Sequence, residues 1–287
     1  MDAVRGATQG LGAMMAERSA VVVFVVVTGL LAVLAVVYVV YRIKRTELQS
    51  ATVLSRPVRL FNSDQAVTLD SSRLPGTLNG QEFAYSFWLY LAELQPAAVP
   101  YVIFHRASGV VTTSTVQANP VVMMNPQTNK MHICMRTNGS STSGTTLSDI
   151  IAPKPGTPAL RRWVVATIDY VPLQRWVHVA FVVSDNLLTV YMDGDMYTVE
   201  NVMELADSAG AQRPIFAGTT GDIVVGPTPG SAELRGYVAK LQFFNYALTR
   251  GDVKDITSSG PSDSSVLASL GLPAYSLRSP IYRIDDA

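Results

Sequence analysis

Three histidines, one cysteine and 22 carboxylates hold whatever acid, base or nucleophilic chemistry this 287-residue chain could perform. A nucleophilic triad needs a histidine as its base. His105, His132 and His178 each fall in an alternating apolar segment (YVIFH, MHICMR and WVHVAFVV), at spacings that fit no metal motif. Cys134 sits in the second of these, where a thiol serves as a small buried hydrophobe. One cysteine also excludes an intramolecular disulfide and a thiolate metal cluster. Asp193 and Asp195 flank Gly194 and offer two carboxylates to a cation such as calcium, but Asp-Gly between alternating strands is first of all a turn. Arg250-Gly251-Asp252 spells an adhesion tripeptide at a helix start, where Asp252 has a capping task. Asn138-Gly139-Ser140 is a glycosylation sequon that matters only in a lumenal domain. No phosphate-binding or dinucleotide fingerprint is present.

The elements that must carry these residues begin with a membrane segment. From Ala20 to Tyr41 the chain runs without a charge, AVVVFVVVTGLLAVLAVVYVVY, long enough as a helix for a hydrocarbon core of about 30 Å. Valine is poor for helix in water, but in lipid the backbone must satisfy its own hydrogen bonds. A cleaved signal peptide has a shorter apolar region, and this one ends in the stop-transfer flank Tyr41-Arg42-Ile43-Lys44-Arg45. Arg42, Lys44, Arg45 and Arg56 after the span outweigh Arg5 and Arg18 before it. The positive-inside rule then places the C-terminal side in the cytoplasm, where a lone thiol is at home. The lipid bilayer is thus an expected partner. Positive and negative side chains balance at 22 each, which argues against nucleic acid. The predicted layout is a short N-terminal segment over 1–19, a transmembrane helix over 20–41, a stalk over 42–56, a body over 57–259 and a tail over 260–287, the tail without a clear period.

The body reads as all-β. In Phe83–Leu91, Phe83, Tyr85, Phe87, Leu89 and Leu91 share one face while Trp88 and Tyr90 share the other, so both faces are covered. Tyr101–His105, Met131–Arg136, Trp163–Asp169, Trp176–Val183, Leu187–Met192, Met196–Val199, Asp222–Val225 and Gly236–Phe244 alternate likewise. Asp193-Gly194 predicts a type I′ hairpin. Thr249 and Asp252 stand at the capping-box offset and predict a short helix near 250–257, the one helix expected in the body. Thr137–Pro158, rich in Ser, Thr, Gly and Pro, reads as a loop insertion. The expected architecture is a two-sheet antiparallel sandwich, or jelly roll, behind one transmembrane α-helix.

The order of the strands resembles the concanavalin A-like superfamily and, within it, the laminin G-like domains. Gly80-Gln-Glu-Phe-Ala-Tyr-Ser-Phe-Trp88-Leu resembles an early F-S-x-W strand, and Gln174-Arg-Trp176-Val-His178-Val-Ala180 a central W-x-H-V-A strand. Leu188-Thr-Val-Tyr-Met-Asp193-Gly194 resembles the hairpin that follows, and Gly236-Tyr-Val-Ala-Lys-Leu-Gln-Phe-Phe-Asn245-Tyr-Ala-Leu248 the closing strand. The four pieces come in order over about 57–257. The resemblance implies a sandwich, His178 in its usual structural place, and loop-bound calcium in some members. Members that hydrolyse glucans carry E-x-D-x-x-E, whose alternate carboxylates face one groove. Here Glu82, Glu93, Glu200, Glu204 and Glu233 are never followed by Asp two residues on. A single span ahead of such a domain, with Asn125-Pro126-Gln-Thr128-Asn129 in a central turn, also resembles proteins of large DNA viruses that mature on internal membranes.

Fold does not name a function. The reading adopted is a non-enzymatic, membrane-anchored interaction or structural protein whose loops or tail dock another protein, as in a virion or internal-membrane scaffold. The alternative is a lectin-like glycan-binding module. Trp88, Trp163 and Trp176 lie on expected strands instead of the loops a lectin would use.

Overall fold

The computed structural model describes residues 26–38, 49–60, 66–76, 82–107, 111, 116–138, 145–152, 163–205 and 214–261. Contacts divide the chain into two units, residues 1–48 and residues 49–287. In the first unit, residues 26–38 form a helix, α1. Val26, Leu30, Leu34 and Val37 are each more than half exposed along it. No helix among the described residues is long and apolar enough to cross a membrane. The remainder of the expected span, 20–25 and 39–41, lies outside the described residues, as do 1–19 and the tail from 262.

The second unit is built from two antiparallel sheets. One runs β1 (Ser50–Thr52), β13 (Gly236–Phe244), β4 (Phe83–Leu91), β9 (Trp176–Ser184), β10 (Leu187–Met192) and β11 (Asp195–Asn201), with β2 (Val58–Arg59) also on β13. The other runs β3 (Val67–Leu69), β12 (Asp222–Val225), β5 (Tyr101–Ala107), β6 (Ala118–Met124), β7 (Met131–Arg136) and β8 (Trp163–Ile168). Residues 49–56, assigned to the stalk from sequence, include β1, which pairs with Gln242–Phe244 of β13.

Alternation decides which side chains fill the sandwich. Phe83, Tyr85, Phe87, Leu89 and Leu91 all point into the core between the sheets. The Tyr85 ring lies 5.0 Å from those of both Phe181 and Phe243, which joins β4 to β9 and β13. Each large side chain buried here contributes roughly 1.5–3 kcal/mol. The guanidinium of Arg106 enters this core with its charge answered by the Gly221 carbonyl, the Thr219 hydroxyl and the face of Phe243. Part of each outer face is covered too. Helix α3 (Arg250–Ser258) lays Val253 over Ala84, Ala180, Val182 and Phe244. Helix α2 (Leu147–Ile151) lays Leu147 and Ile150 into a cluster with Val121, Met123, Cys134 and Trp163.

The structure adds elements that the sequence pattern does not announce. β6 contains Asn119-Pro120, and proline cannot donate to a ladder. The strand tolerates it because the register with β5 shifts there, and the Asn119 side chain takes the place of a ladder acceptor for the Arg136 N–H at 3.0 Å. Helix α2 interrupts the stretch read as a loop; its Thr146–Asp149 capping box is complete, but five residues are too few to show a helical period. The body therefore has two α-helices among its described residues, besides short 3-10 turns at Ser71–Arg73 and Val202–Leu205. At Asp193 and Gly194 φ is 50° and 86°, the positive pair a type I′ turn requires.

Candidate functional site

His178 is the most completely engaged histidine. It lies on the outer face of β9 under α3 and is wholly buried. Its Nε2 is 2.8 Å from Ser86 Oγ on β4, and its Nδ1 is 2.7 Å from Thr257 Oγ1 on α3. Thr257 gives its single hydroxyl proton to the Val253 carbonyl at 2.8 Å, so it accepts from Nδ1–H. Nε2 is then the acceptor and Ser86 the donor. Burial pushes the imidazole down to about 4, in keeping with a neutral ring. A serine on Nε2 has the distance of a catalytic dyad. Here, however, the third member is a hydroxyl in place of a carboxylate, and Ser86 has no exposed surface for a substrate to reach. The arrangement is a latch that fastens α3 to two strands.

The other candidates are dispersed. His105 and His132 lie on β5 and β7 of the opposite sheet, and burial pushes each down to about 4. His132 Nδ1 bonds Thr167 Oγ1 at 3.0 Å. Cys134 is fully buried, and burial raises its thiol pKa, so it is not poised as a nucleophile. Among the described residues no carboxylate is buried and no three His, Cys, Asp or Glu side chains gather as metal ligands.

Asp193 and Asp195 are already answered by cations of this chain. Asp193 accepts the backbone N–H of His178 at 2.9 Å and pairs with Arg175. Asp195 faces Arg250 at 3.3 Å and Lys254 at 3.9 Å. Asp252 of the Arg-Gly-Asp tripeptide closes the capping box of α3 on Thr249. Asn138 is exposed two residues past the end of β7, beside Ile215.

One surface feature escaped sequence reasoning. Across four strands, Arg59, Tyr237, Tyr90 and Trp176 stand in one register row. The Arg59 guanidinium lies 5.9 Å from the Tyr237 centroid, Tyr237 is 6.3 Å from Tyr90, and Tyr90 is 5.6 Å from Trp176. The row is on the outer face because its neighbours Val238, Leu89 and Val177 point inward. Its three aromatic side chains are half-buried and Arg59 is exposed. Ion pairs Arg175–Asp193 and Arg235–Glu93 lie beside the row along the chain. The off-face aromatic positions were visible one strand at a time, but their alignment needs the register.

A search of curated proteins finds no match. Among solved structures, the chain is similar to the botulinum neurotoxin serotype D binding domain, with 12% identity, a TM-score of 0.49, and 73% of this chain covering 44% of that one. It is also similar to the serotype D ligand binding domain in complex with N-acetylneuraminic acid, at 11% identity, TM-score 0.48, and 74% against 46% coverage. The chain thus spans less than half the length of either. Residues 61–254 match the family model of the concanavalin A-like lectin/glucanases superfamily, and the chain belongs to that superfamily.

Proposed function

We propose that the chain is a non-enzymatic interaction module, held at a membrane by the apolar segment of residues 20–41, whose sandwich docks a protein partner through the Arg59–Tyr237–Tyr90–Trp176 row. That row is the observation that carries the reading. Trp, Tyr and Arg are the residues in which interface hot spots are enriched, since each combines a large apolar surface with a polar handle. A protein partner also suits the charge, because a general phosphate binder would need a basic excess. The dispersal of histidines, thiol and carboxylates supports a binding role over a catalytic one.

The tether rests on the uncharged run of residues 20–41, its basic flank, and the exposed apolar side chains of α1. The same flank, through the positive-inside rule, supports a cytoplasmic sandwich, where a scaffold assembling on an internal membrane would meet it.

A lectin-like role is the second reading, favoured by half-buried aromatic rings on a fold whose superfamily includes lectins. It ranks second because the rings are tilted by 51° and 61° to one another, so they offer no common plane to a run of sugar rings.

The test places a photoreactive residue at Trp176 of the full chain in its native membrane and a second at Thr189, on the same outer face towards the far edge. A protein adduct from position 176 and none from 189 is expected. Retention on immobilised glycans, lost in Trp176→Ala, would replace the protein reading with the lectin one. An absence of both would remove the row from any docking role.

A further inference from the structure

Two hydrogen-bond donors stand side by side on the six-stranded sheet without an acceptor. Arg136 at the end of β7 and Trp163 at the start of β8 are register partners. Both belong to the outer face: their chain neighbours Met135 and Val164 point into the core, and Trp163 packs with Cys134 under α2. Side chains directly opposed on antiparallel strands have their Cβ atoms about 5 Å apart. Trp163 is 4% exposed and its Nε1–H has no partner. The Arg136 Nε–H is buried and unpartnered too, while the residue as a whole stays partly exposed. Buried polar groups without partners are rare in folded proteins. Two at one spot call for an acceptor that the described residues do not supply.

We propose that Arg136 and Trp163 form a binding site for a carboxylate, which accepts from the indole N–H and from the edge of the guanidinium. The charge asks for an anion. No ion pair among the described residues includes Arg136. Asp149, on the helix that packs over Trp163, closes the capping box on Thr146. Burial lowers the Arg136 pKa, as befits a guanidinium that has lost hydration without gaining a counter-charge.

The donor set selects among anions. A guanidinium fork lies in one plane and matches the two oxygens of a carboxylate, and the indole N–H adds a third donor. One positive charge balances a carboxylate. A phosphate dianion would leave negative charge in excess where water is partly excluded. The strand end is also held in place. The Arg136 N–H donates to Asn119 Oδ1 at 3.0 Å, and the Arg136 carbonyl accepts from the Ala217 N–H at 2.8 Å. The guanidinium is thus carried on a backbone fixed from two sides, as a preformed site requires. Nothing in this site depends on the aromatic row, which stands on the other sheet.

The full chain in mild detergent, with isotope-labelled tryptophan, gives three indole N–H resonances, and Trp163→Phe assigns the one at issue. Sodium acetate titrated in place of chloride, at constant ionic strength, is expected to move the Trp163 resonance saturably and leave those of Trp88 and Trp176 in place. Arg136→Gln should weaken this binding by about tenfold or more, and Arg136→Lys, which keeps the charge but not the fork, by less. A blocked Gly-Glu-Gly peptide, set against Gly-Gln-Gly, identifies the source of the carboxylate. Tighter binding of the glutamate peptide than of acetate assigns the site to an acidic side chain of a partner, and the reverse order to a small free carboxylate. No saturable shift at Trp163, a shift unchanged in both Arg136 variants, or tighter binding of inorganic phosphate than of acetate would overturn the proposal.

Discussion

Thr257 Oγ1 stands 2.7 Å from His178 Nδ1, across 79 residues of sequence, and through it α3 is bound to the centre of the seven-stranded sheet. Removing the hydroxyl by Thr257→Val leaves a buried N–H donor without a partner, at a cost of about 1–3 kcal/mol. Ser86→Ala should cost a similar amount from the other nitrogen. Urea unfolding of the two variants measures both, and a loss that is less than additive in the double variant is expected of one shared network. Unchanged midpoints would mean that the latch does not hold the helix.

Acid should weaken the fold within a defined window. Burial pushes His105, His132 and His178 each to about 4, against 6.5 in the unfolded chain. Between those values the unfolded chain binds more protons, so stability is complete above pH 6.5 and falls as pH drops through 4. For the deeply buried His105 and His178 the loss is on the order of 3 kcal/mol each once the window is crossed. A Tm followed from pH 7.5 to about 4 should fall through this window, and less steeply in His178→Gln. A flat Tm would contradict the buried, neutral state of these rings.

Gly236 opens β13 beside Leu91 of β4, and a Cβ there would land on the Tyr90 carbonyl oxygen. Gly236→Ala should therefore force the two strands apart at the aromatic row and destabilise the fold by about 3 kcal/mol. The same substitution at Gly218, where a Cβ meets nothing within 4 Å, is expected to have little effect. Chemical denaturation separates the two.

Topology has a built-in reporter in Asn138, which is exposed beside Ile215. With the sandwich in the cytoplasm, protease digests the body in sealed membranes without detergent, and Asn138 carries no sugar. A protected body with a glycan removed by Asn138→Gln would place the sandwich in the lumen and raise the lectin reading.

Much of the sandwich was legible because alternation is a local signal. β4, β7, β10, β12 and β13 occupy the residues their periods mark out, and the Thr249–Asp252 box starts α3 where its spacing predicts. β6 was hidden by Asn119-Pro120, whose tolerance depends on a register shift against β5. Five-residue α2 was too short for a period. The site was less legible still. Trp176 was read as a strand residue, which it is, but its alignment with Tyr90, Tyr237 and Arg59 comes from the pairing of four strands far apart in sequence. His178 was read as structural, yet its partner Thr257 could not be named, since nothing local places α3 over β9.

The central claim is that the aromatic row is the docking face, and the most direct measurement is the affinity of the full chain for the protein crosslinked at Trp176. Trp176→Ala should weaken binding by about thirtyfold, as a hot-spot truncation does, with the urea midpoint changed little. Affinity unchanged by Trp176→Ala, Tyr90→Ala and Tyr237→Ala, or lost only in step with stability, would contradict the account.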